Sequence, residues 1–195
     1  TTPVLVEDGV ATGADSDGTN LINVKMISAG SSHTCAITTS GKTYCWGAAA
    51  SGRLGNNSTT PDQTTPVFVE DGVATGADTD GNYLVNIRSI FAGGAAVIAI
   101  SNTGKTYSWG SSTSGKLGNG TTTPDQPTPV YVTDGAATGV DSDGANLINL
   151  KAVSFGNGHA CAISNSGKTY CWGAGGTYGQ LGAGQTASDQ SSPVL

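Results

Sequence analysis

The sequence predicts an all-β protein of three tandem repeats of about 63 residues, each a β-propeller blade of four antiparallel strands. Short alternating apolar and polar runs, separated by turn residues, recur along the chain, and no window has apolar residues at helical spacing. One hairpin pattern, residues 33–47, recurs at 96–110 and again at 159–173. A four-stranded unit of this length cannot bury both faces alone, so it stacks on neighbours, as propeller blades do.

The hairpin pattern fixes its own register. Residues 39–41 form the loop, with glycine at the third position, where the backbone is left-handed. A three-residue loop places Cys35 opposite Cys45, in a non-hydrogen-bonded pair whose Cα atoms lie about 4.5 Å apart, close enough for a disulfide. Cys161 and Cys171 repeat the arrangement. We therefore expect two hairpin disulfides, with free core thiols as the alternative.

The repeats divide the chain into residues 1–63, 64–126 and 127–195, and the third ends in the first strand of a further repeat. Within each repeat, the strand before the hairpin is expected to be the inner strand of the blade, and the hairpin supplies the middle two. The outer strand must then come from the start of the following repeat. The expected outer strands are residues 66–69, 129–132 and 193–195.

This assignment leaves residues 3–6 as an outer strand without a blade of its own. An unpaired apolar strand is an edge that invites the addition of another chain, and typical propellers have four to eight blades. The sequence therefore predicts a segment of a larger propeller or assembly, either a homo-oligomer or part of a longer array.

Four segments of the first repeat carry a family resemblance: residues 29–33 (AGSSH), 35–37 (CAI), 40–47 (SGKTYCWG) and 52–55 (GRLG). Together they resemble the repeat of the regulator of chromosome condensation family. The chain looks most like the secreted bacterial branch, where paired cysteines flank the blade hairpin and a Val-x-Asp-Gly insertion precedes the first strand. The resemblance covers all three repeats and implies a propeller. It does not select an activity, because the family includes nucleotide-exchange factors, an inhibitor of β-lactamases and surface proteins of unknown role.

Charge and composition exclude several classes of partner. The net charge is −6, and all eight lysines and arginines occupy repeat-equivalent positions, so no basic patch is set apart for nucleic acid. No run approaches the roughly 18 apolar residues of a membrane span. Paired cysteines without a C-x-x-C metal pattern indicate an oxidising compartment. We expect an extracellular or cell-surface location, protein partners or further repeats, no nucleic acid and no membrane insertion.

An Asp-x-Asp-Gly turn, present once per repeat, is a candidate calcium site. It places paired carboxylates around a turn glycine, and Ca²⁺ takes six to eight oxygen ligands. Asp-Gly is also a common turn signal, so plain solvated turns are the alternative. The candidate ligands are Asp15, Asp17, Asp78, Asp80, Asp141 and Asp143. No other cofactor is expected.

Two sequons in equivalent connectors, at Asn57 and Asn119, are candidate N-glycan acceptors, with unmodified loops as the alternative.

Nothing in the sequence predicts catalysis. The carboxylates recur in register in the repeats, whereas an active site is one asymmetric constellation. His33 and His159 are replaced by Ala96 in the second repeat, which favours a packing role. The repeated tryptophans are interpreted as blade core. They are Trp46, Trp109 and Trp172.

The sequence favours an extracellular structural or adhesive surface module. One alternative is a protein-binding propeller, inhibitor-like or scaffold, that grips a partner with loops at one end of the ring. Aromatic anchors would mark such loops, and the unrepeated aromatic candidates are Tyr83, Tyr131 and Tyr178. A minor alternative, a polysaccharide-acting enzyme, would require an unrepeated acidic pair.

Overall fold

The structure is a computed structural model that describes residues 2–176, 178–184 and 188–195. It contains three four-stranded antiparallel sheets with their strands in sequence order, which confirms the predicted all-β blades. The first sheet has β1 (Val24–Ala29), β2 (His33–Thr38), β3 (Thr43–Gly47) and β4 (Gln63–Phe68). The second has β5 (Ile87–Gly93), β6 (Ala96–Ser101), β7 (Thr106–Gly110) and β8 (Gln126–Tyr131). The third has β9 (Leu150–Phe155), β10 (His159–Ser164), β11 (Thr169–Gly173) and β12 (Gln190–Val194).

In the residues that the structure describes, helical structure is confined to short 3-10 turns in the connections. They are Gly13–Asp15, Ala50–Gly52, Gly76–Asp78, Thr113–Gly115 and Gly139–Asp141. Within the described ranges, no helix is long and apolar enough to cross a membrane.

Each blade takes its outer strand from the following repeat, as the sequence predicts. The three outer strands β4, β8 and β12 begin at residues 63, 126 and 190, earlier than the expected 66, 129 and 193. They extend further because the glutamine that opens each strand pairs with the last glycine of the hairpin. In the first blade this pair is Gln63 and Gly47.

The hydrophobic core lies between blades. One buried cluster joins Cys35 and Ile37 of the first blade to Ile90 and Trp109 of the second. A second cluster joins Ile98 and Ile100 of the second blade to Val153, Ala160 and Trp172 of the third. The two faces of the middle sheet are therefore covered by different neighbours. This arrangement explains why both faces of every hairpin carry packing side chains.

Residues 3–6 belong to no strand of the three sheets. The Leu21 N–H donates to the Val6 oxygen at 2.9 Å, but the side chains of Val4 and Leu5 are exposed. Their equivalents Val67 and Phe68 lie in β4 and pair with the hairpin strand β3. Within the described residues, then, the segment has no hairpin to pair with, and completion of another blade by residues 3–6 stays a prediction.

Candidate functional site

The first aspartate of each Asp-x-Asp-Gly motif is buried and anchors the insertion to its own hairpin. Asp15 Oδ2 accepts hydrogen bonds from the Tyr44 hydroxyl at 2.9 Å and from the Ser40 hydroxyl at 2.7 Å. The other blades repeat this network with Tyr107 and Thr103 on Asp78, and with Tyr170, Ser164 and Ser166 on Asp141. These carboxylates therefore act as structural acceptors inside the blades.

The pKa shifts of Asp141 and Tyr170 are consistent with this structural role. Burial, followed by the bond to Asp141, raises the pKa of Tyr170 to about 12. For Asp141, burial acts to raise the pKa, but the hydrogen bonds from Ser166, Tyr170 and Ser164 outweigh it and the pKa is lowered. The carboxylate therefore stays ionised at neutral pH, while the tyrosine stays a hydrogen-bond donor.

The second aspartate of each motif is exposed and caps its own turn. Asp17 Oδ1 accepts from the backbone N–H groups of Asn20 at 2.7 Å and Thr19 at 3.0 Å. These bonds, the one from Asn20 first, lower the pKa of Asp17 to about 2. The two carboxylates of the motif thus belong to separate networks. No group of three or more His, Cys, Asp or Glu in the described part of the chain is placed to hold a metal ion, and the calcium hypothesis stays a prediction.

Both hairpin disulfides are present, with the register derived from the loop. Cys35 pairs with Cys45, and Cys161 with Cys171, and in each pair the Cα atoms are 4.1 Å apart. In the middle blade Ile98 occupies one of the two positions and is fully buried. Its partner there, Ser108, donates instead to the Leu117 oxygen at 2.7 Å. The middle blade thus replaces the covalent link by packing and a hydrogen bond.

The two sequon asparagines differ in their surroundings. Asn57 is exposed, whereas Asn119 is half-buried. Asn119 Oδ1 accepts from the Thr121 hydroxyl at 3.0 Å. Glycosylation of either residue stays a prediction.

Two of the three candidate aromatic anchors pack against neighbouring side chains. Tyr83 stacks on Phe68 with ring centroids 4.3 Å apart, and Tyr131 accepts from the Lys105 ammonium at 3.2 Å. Tyr178 is 92% exposed. Only this last tyrosine is free to act as an anchor at a loop tip.

The tryptophans connect neighbouring blades, a role that sequence reasoning missed. The Trp109 Nε1–H donates to the Arg53 oxygen of the preceding blade at 3.2 Å. The same ring lies against Gly55, where an added Cβ would come within 2.9 Å of the indole nitrogen. Trp172 repeats the contact with the Lys116 oxygen at 3.0 Å and with Gly118. The sequence signal was the constant spacing between the G-x-L-G motif and the tryptophan of the next repeat.

The hairpin turns supply a second contact between blades. The Asn86 N–H, at the entry to β5, donates to the Gly41 oxygen of the first hairpin turn at 2.9 Å. Asn149 and Gly104 form the same bond between the second and third blades at 2.8 Å. Each joint between blades therefore combines a tryptophan, an apolar sheet contact and a turn bond.

The outward surfaces of the first and third blades expose side chains that the joints bury. We call the surface of the first blade that carries Asn23, Ile27 and Trp46 the leading face. Ile27 is 56% exposed, although its equivalent Ile90 is fully buried in the first joint. Beside Trp46, residues 4–7 line a groove of about 350 Å³.

The opposite end of the chain is the trailing face, which carries Cys161, Ile163, Gly167 and Gly182. Ile163 is 45% exposed, although Ile37 and Ile100 at the same position are fully buried. Cys161 and Ile163 line an apolar groove of about 250 Å³.

Comparisons of sequence and of structure with known proteins find the same kind of repeat. Two repeat models, both described as "Regulator of chromosome condensation (RCC1) repeat", match residues 24–53 and 150–180 and residues 103–163. The human E3 ubiquitin-protein ligase HERC2 is 31% identical over 161 residues, which are 82% of this chain and 3% of that protein. The ultraviolet-B receptor UVR8 of Arabidopsis thaliana is 30% identical over 173 residues, which are 89% of this chain and 34% of that protein.

Among solved structures, Prp20p from Saccharomyces cerevisiae is 26% identical, with a TM-score of 0.67 over 91% of this chain and 38% of Prp20p. That structure was described together with the binding of Prp20p to Gsp1p and histones. This chain therefore spans well under half the length of HERC2, UVR8 and Prp20p.

Proposed function

The chain belongs to the RCC1 repeat family, and from this premise we propose that it is a protein-binding propeller segment with a structural or adhesive role outside the cell. The observation that carries the proposal is that Tyr178 is 92% exposed in the connection between β11 and β12, because aromatic side chains at exposed loops are typical anchors of protein interfaces. The two disulfides support the extracellular location, since such bonds persist in oxidising compartments.

Protein binding is also in keeping with Prp20p, which binds Gsp1p and histones. The acidic net charge of this chain favours protein over nucleic acid as the partner. We propose no catalytic activity, because the aspartate clusters that recur in the blades form hydrogen bonds within the insertions and turns.

In-cell crosslinking tests the proposal. A photoreactive amino acid at Tyr178, the exposed candidate anchor, is compared with the same amino acid at Val140, which is 68% exposed on an insertion. We expect protein adducts at position 178 and none at 140, in extracellular or surface fractions. Adducts at neither position, or a chain found only in the cytosol with reduced cysteines, would overturn the proposal.

A further inference from the structure

The connection between β7 and β8 carries polar side chains that the equivalent connections lack. In this middle blade Ser112 and Lys116 occupy the positions that Ala49 and Arg53 occupy in the first blade. The third blade has an uncharged residue, Gln180, before its Leu-Gly pair. A functional site is one asymmetric constellation, so an unrepeated polar group is where a chain of repeats would carry one.

Lys116 and Arg53 lie in equivalent connections of neighbouring blades, and therefore at the same end of the sheets. Resting on the proposed protein-binding role, we infer that these two cations form a binding site for a carboxylate of an acidic segment of the partner protein. Tyr178 lies in the same connection of the third blade. One partner can therefore contact the tyrosine and place a carboxylate on the two cations.

Lys116 is a buried cation with few hydrogen-bond partners. Its side chain is only 9% exposed. Its ammonium donates to the main-chain oxygen of Asn157, in the turn between β9 and β10, at 3.4 Å. An ammonium has three N–H donors, and the residues that the structure describes supply this one acceptor. The other donors are therefore left for an oxygen that the partner brings.

The charges around Lys116 leave its ammonium short of negative charge. Burial first lowers the pKa of Lys116, the carboxylate of Asp125 acts to raise it, and the positive charge of Arg53 acts to lower it. Asp125 Oδ1 already accepts from the main-chain N–H of Ser112 at 2.9 Å and from its hydroxyl at 3.3 Å. A buried charge without a hydrogen-bonded counter-ion is costly, so a second carboxylate at this place would be stabilising.

Arg53 offers a fork of N–H donors close to this lysine. Its Nε donates to the Ala50 oxygen at 2.8 Å within its own turn, and its two terminal nitrogens have no acceptor among the described residues. A guanidinium can bind a carboxylate with two parallel hydrogen bonds. The half-buried arginine thus supplies the exposed part of the site, and the lysine supplies its buried part.

A single carboxylate suits this site better than a long polyanion or a free ion. The site has two cations, whereas nucleic acid requires an extended basic surface. The chain has a net charge of −6, so long-range attraction does not concentrate free anions around it. A carboxylate on a protein that other contacts already hold, such as the contact with Tyr178, does not depend on that attraction.

A nuclear magnetic resonance titration of the 195-residue chain tests the site with an acetylated tetraglutamate peptide. We expect this peptide to shift the amide resonances of Arg53, Lys116 and Asn157 saturably, and the matching tetraglutamine peptide to shift none of them. Lys116→Gln should raise the dissociation constant of tetraglutamate by about tenfold or more, because a hydrogen bond between charged groups is lost. Lys25→Gln removes the same charge from an exposed position on β1 and should leave the constant unchanged.

The variant Lys116→Gln should fold, because Gln180 stands at this position in the third repeat, and circular dichroism checks it. Arg53→Gln repeats the test at a half-buried side chain should that variant fail to fold. An absent response to tetraglutamate, or an unchanged dissociation constant in the folded variant, would overturn the inference. Tighter binding of inorganic phosphate or of a single-stranded oligonucleotide than of tetraglutamate would also overturn it.

Crosslinking at position 178 separates this site from the proposed function. In cells, the adducts formed at Tyr178 should decrease in the Lys116→Gln background and not in the Lys25→Gln background. Adducts of undiminished yield with Lys116→Gln would leave the proposed function standing and overturn the carboxylate site. Tetraglutamate binding without adducts in the unmodified chain would overturn the proposed function and leave the carboxylate site standing.

Discussion

The indole nitrogen of Trp109 lies 3.2 Å from the main-chain oxygen of Arg53, and this bond joins residues 56 positions apart in different blades. Its acceptor lies in the turn that ends at Gly55, whose left-handed backbone brings the chain close to the ring. Covering one blade by the next is what completes its core, so the stability of the propeller depends on these joints as well as on the sheets.

Replacing Gly55 by alanine should destabilise the protein more than the same change at Gly182. Both residues have φ of +69°, so both alanines are strained by about 1 to 2 kcal/mol. At Gly55 the added Cβ also meets Val69 and Trp109, and overpacking adds about 1 to 3 kcal/mol. Urea unfolding of the two variants measures the difference in unfolding free energy. Equal losses would show that the contact with Val69 and Trp109 adds nothing to the cost at Gly55.

The double change Cys35→Ile and Cys45→Ser should weaken the first blade without unfolding it. The new isoleucine and serine are the residues that the middle blade has at these positions, where Ile98 is buried and Ser108 is hydrogen-bonded. Closing a loop of this length is worth about 2 to 3 kcal/mol by the chain-entropy relation. We expect denaturant unfolding to show that loss of unfolding free energy, and the far-ultraviolet circular dichroism spectrum to be unchanged. Peptide mapping that found free thiols, or a link between Cys35 and Cys161, would disprove the pairing.

The change Tyr44→Phe should cost about 1.5 to 3 kcal/mol, because it removes the buried hydrogen bond from the tyrosine hydroxyl to the Asp15 carboxylate. Asp15 would keep its bond to Ser40, so the blade should remain folded. Tyr178→Phe is the control, since that side chain is 92% exposed. Equal unfolding free energies for the two variants would show that the tyrosine bond does not hold the insertion.

His33 should make stability depend on pH. Burial first, and then the positive charge of Arg53, lower the pKa of His33 from 6.5 to about 4. Below pH 6.5 the unfolded chain therefore binds a proton that the folded chain does not, and the free energy of unfolding falls as the pH decreases towards 4. Between pH 7 and pH 5 the free energy of unfolding should fall by about 2 kcal/mol.

The change His33→Ala should remove this loss, and Ala96 shows that the repeat accepts alanine at this position. Unfolding free energies measured from pH 7 to pH 5 test the difference, because most carboxylates remain ionised throughout that range. Parallel profiles for the variant and the unmodified chain would assign the pH dependence to other groups.

Calcium binding by the Asp-x-Asp-Gly turns is tested by melting. If the turns bind the ion, a chelator should lower the melting temperature, added calcium should restore it, and Asp17→Asn with its equivalents Asp80→Asn and Asp143→Asn should abolish the response. These exposed aspartates are the appropriate ones to change, because Asp15 is needed inside the blade. An unchanged melting temperature in all conditions would leave the aspartates as turn residues.

Local geometry could be predicted from the sequence because it depends on neighbours along the chain. Strand alternation has a period of two, so a three-residue loop was sufficient to place Cys35 opposite Cys45. The repeat then assigned each outer strand to the following unit. Asp15 and Asp17 could not be separated in this way, because the same Asp-x-Asp-Gly turn describes the buried carboxylate and the exposed one.

The sequence alone therefore determined the repeat, the hairpin register, the disulfide pairs and the four-stranded blade. Only the tertiary structure decided that Trp109 bonds the Arg53 oxygen, that Asp15 turns towards Tyr44, and that the Asn86 N–H bonds the Gly41 oxygen. The physical reason is that these contacts join residues far apart in the chain. Their partners are set by how one twisted sheet stacks on the next, and a pattern read within a single strand carries no information about that stacking.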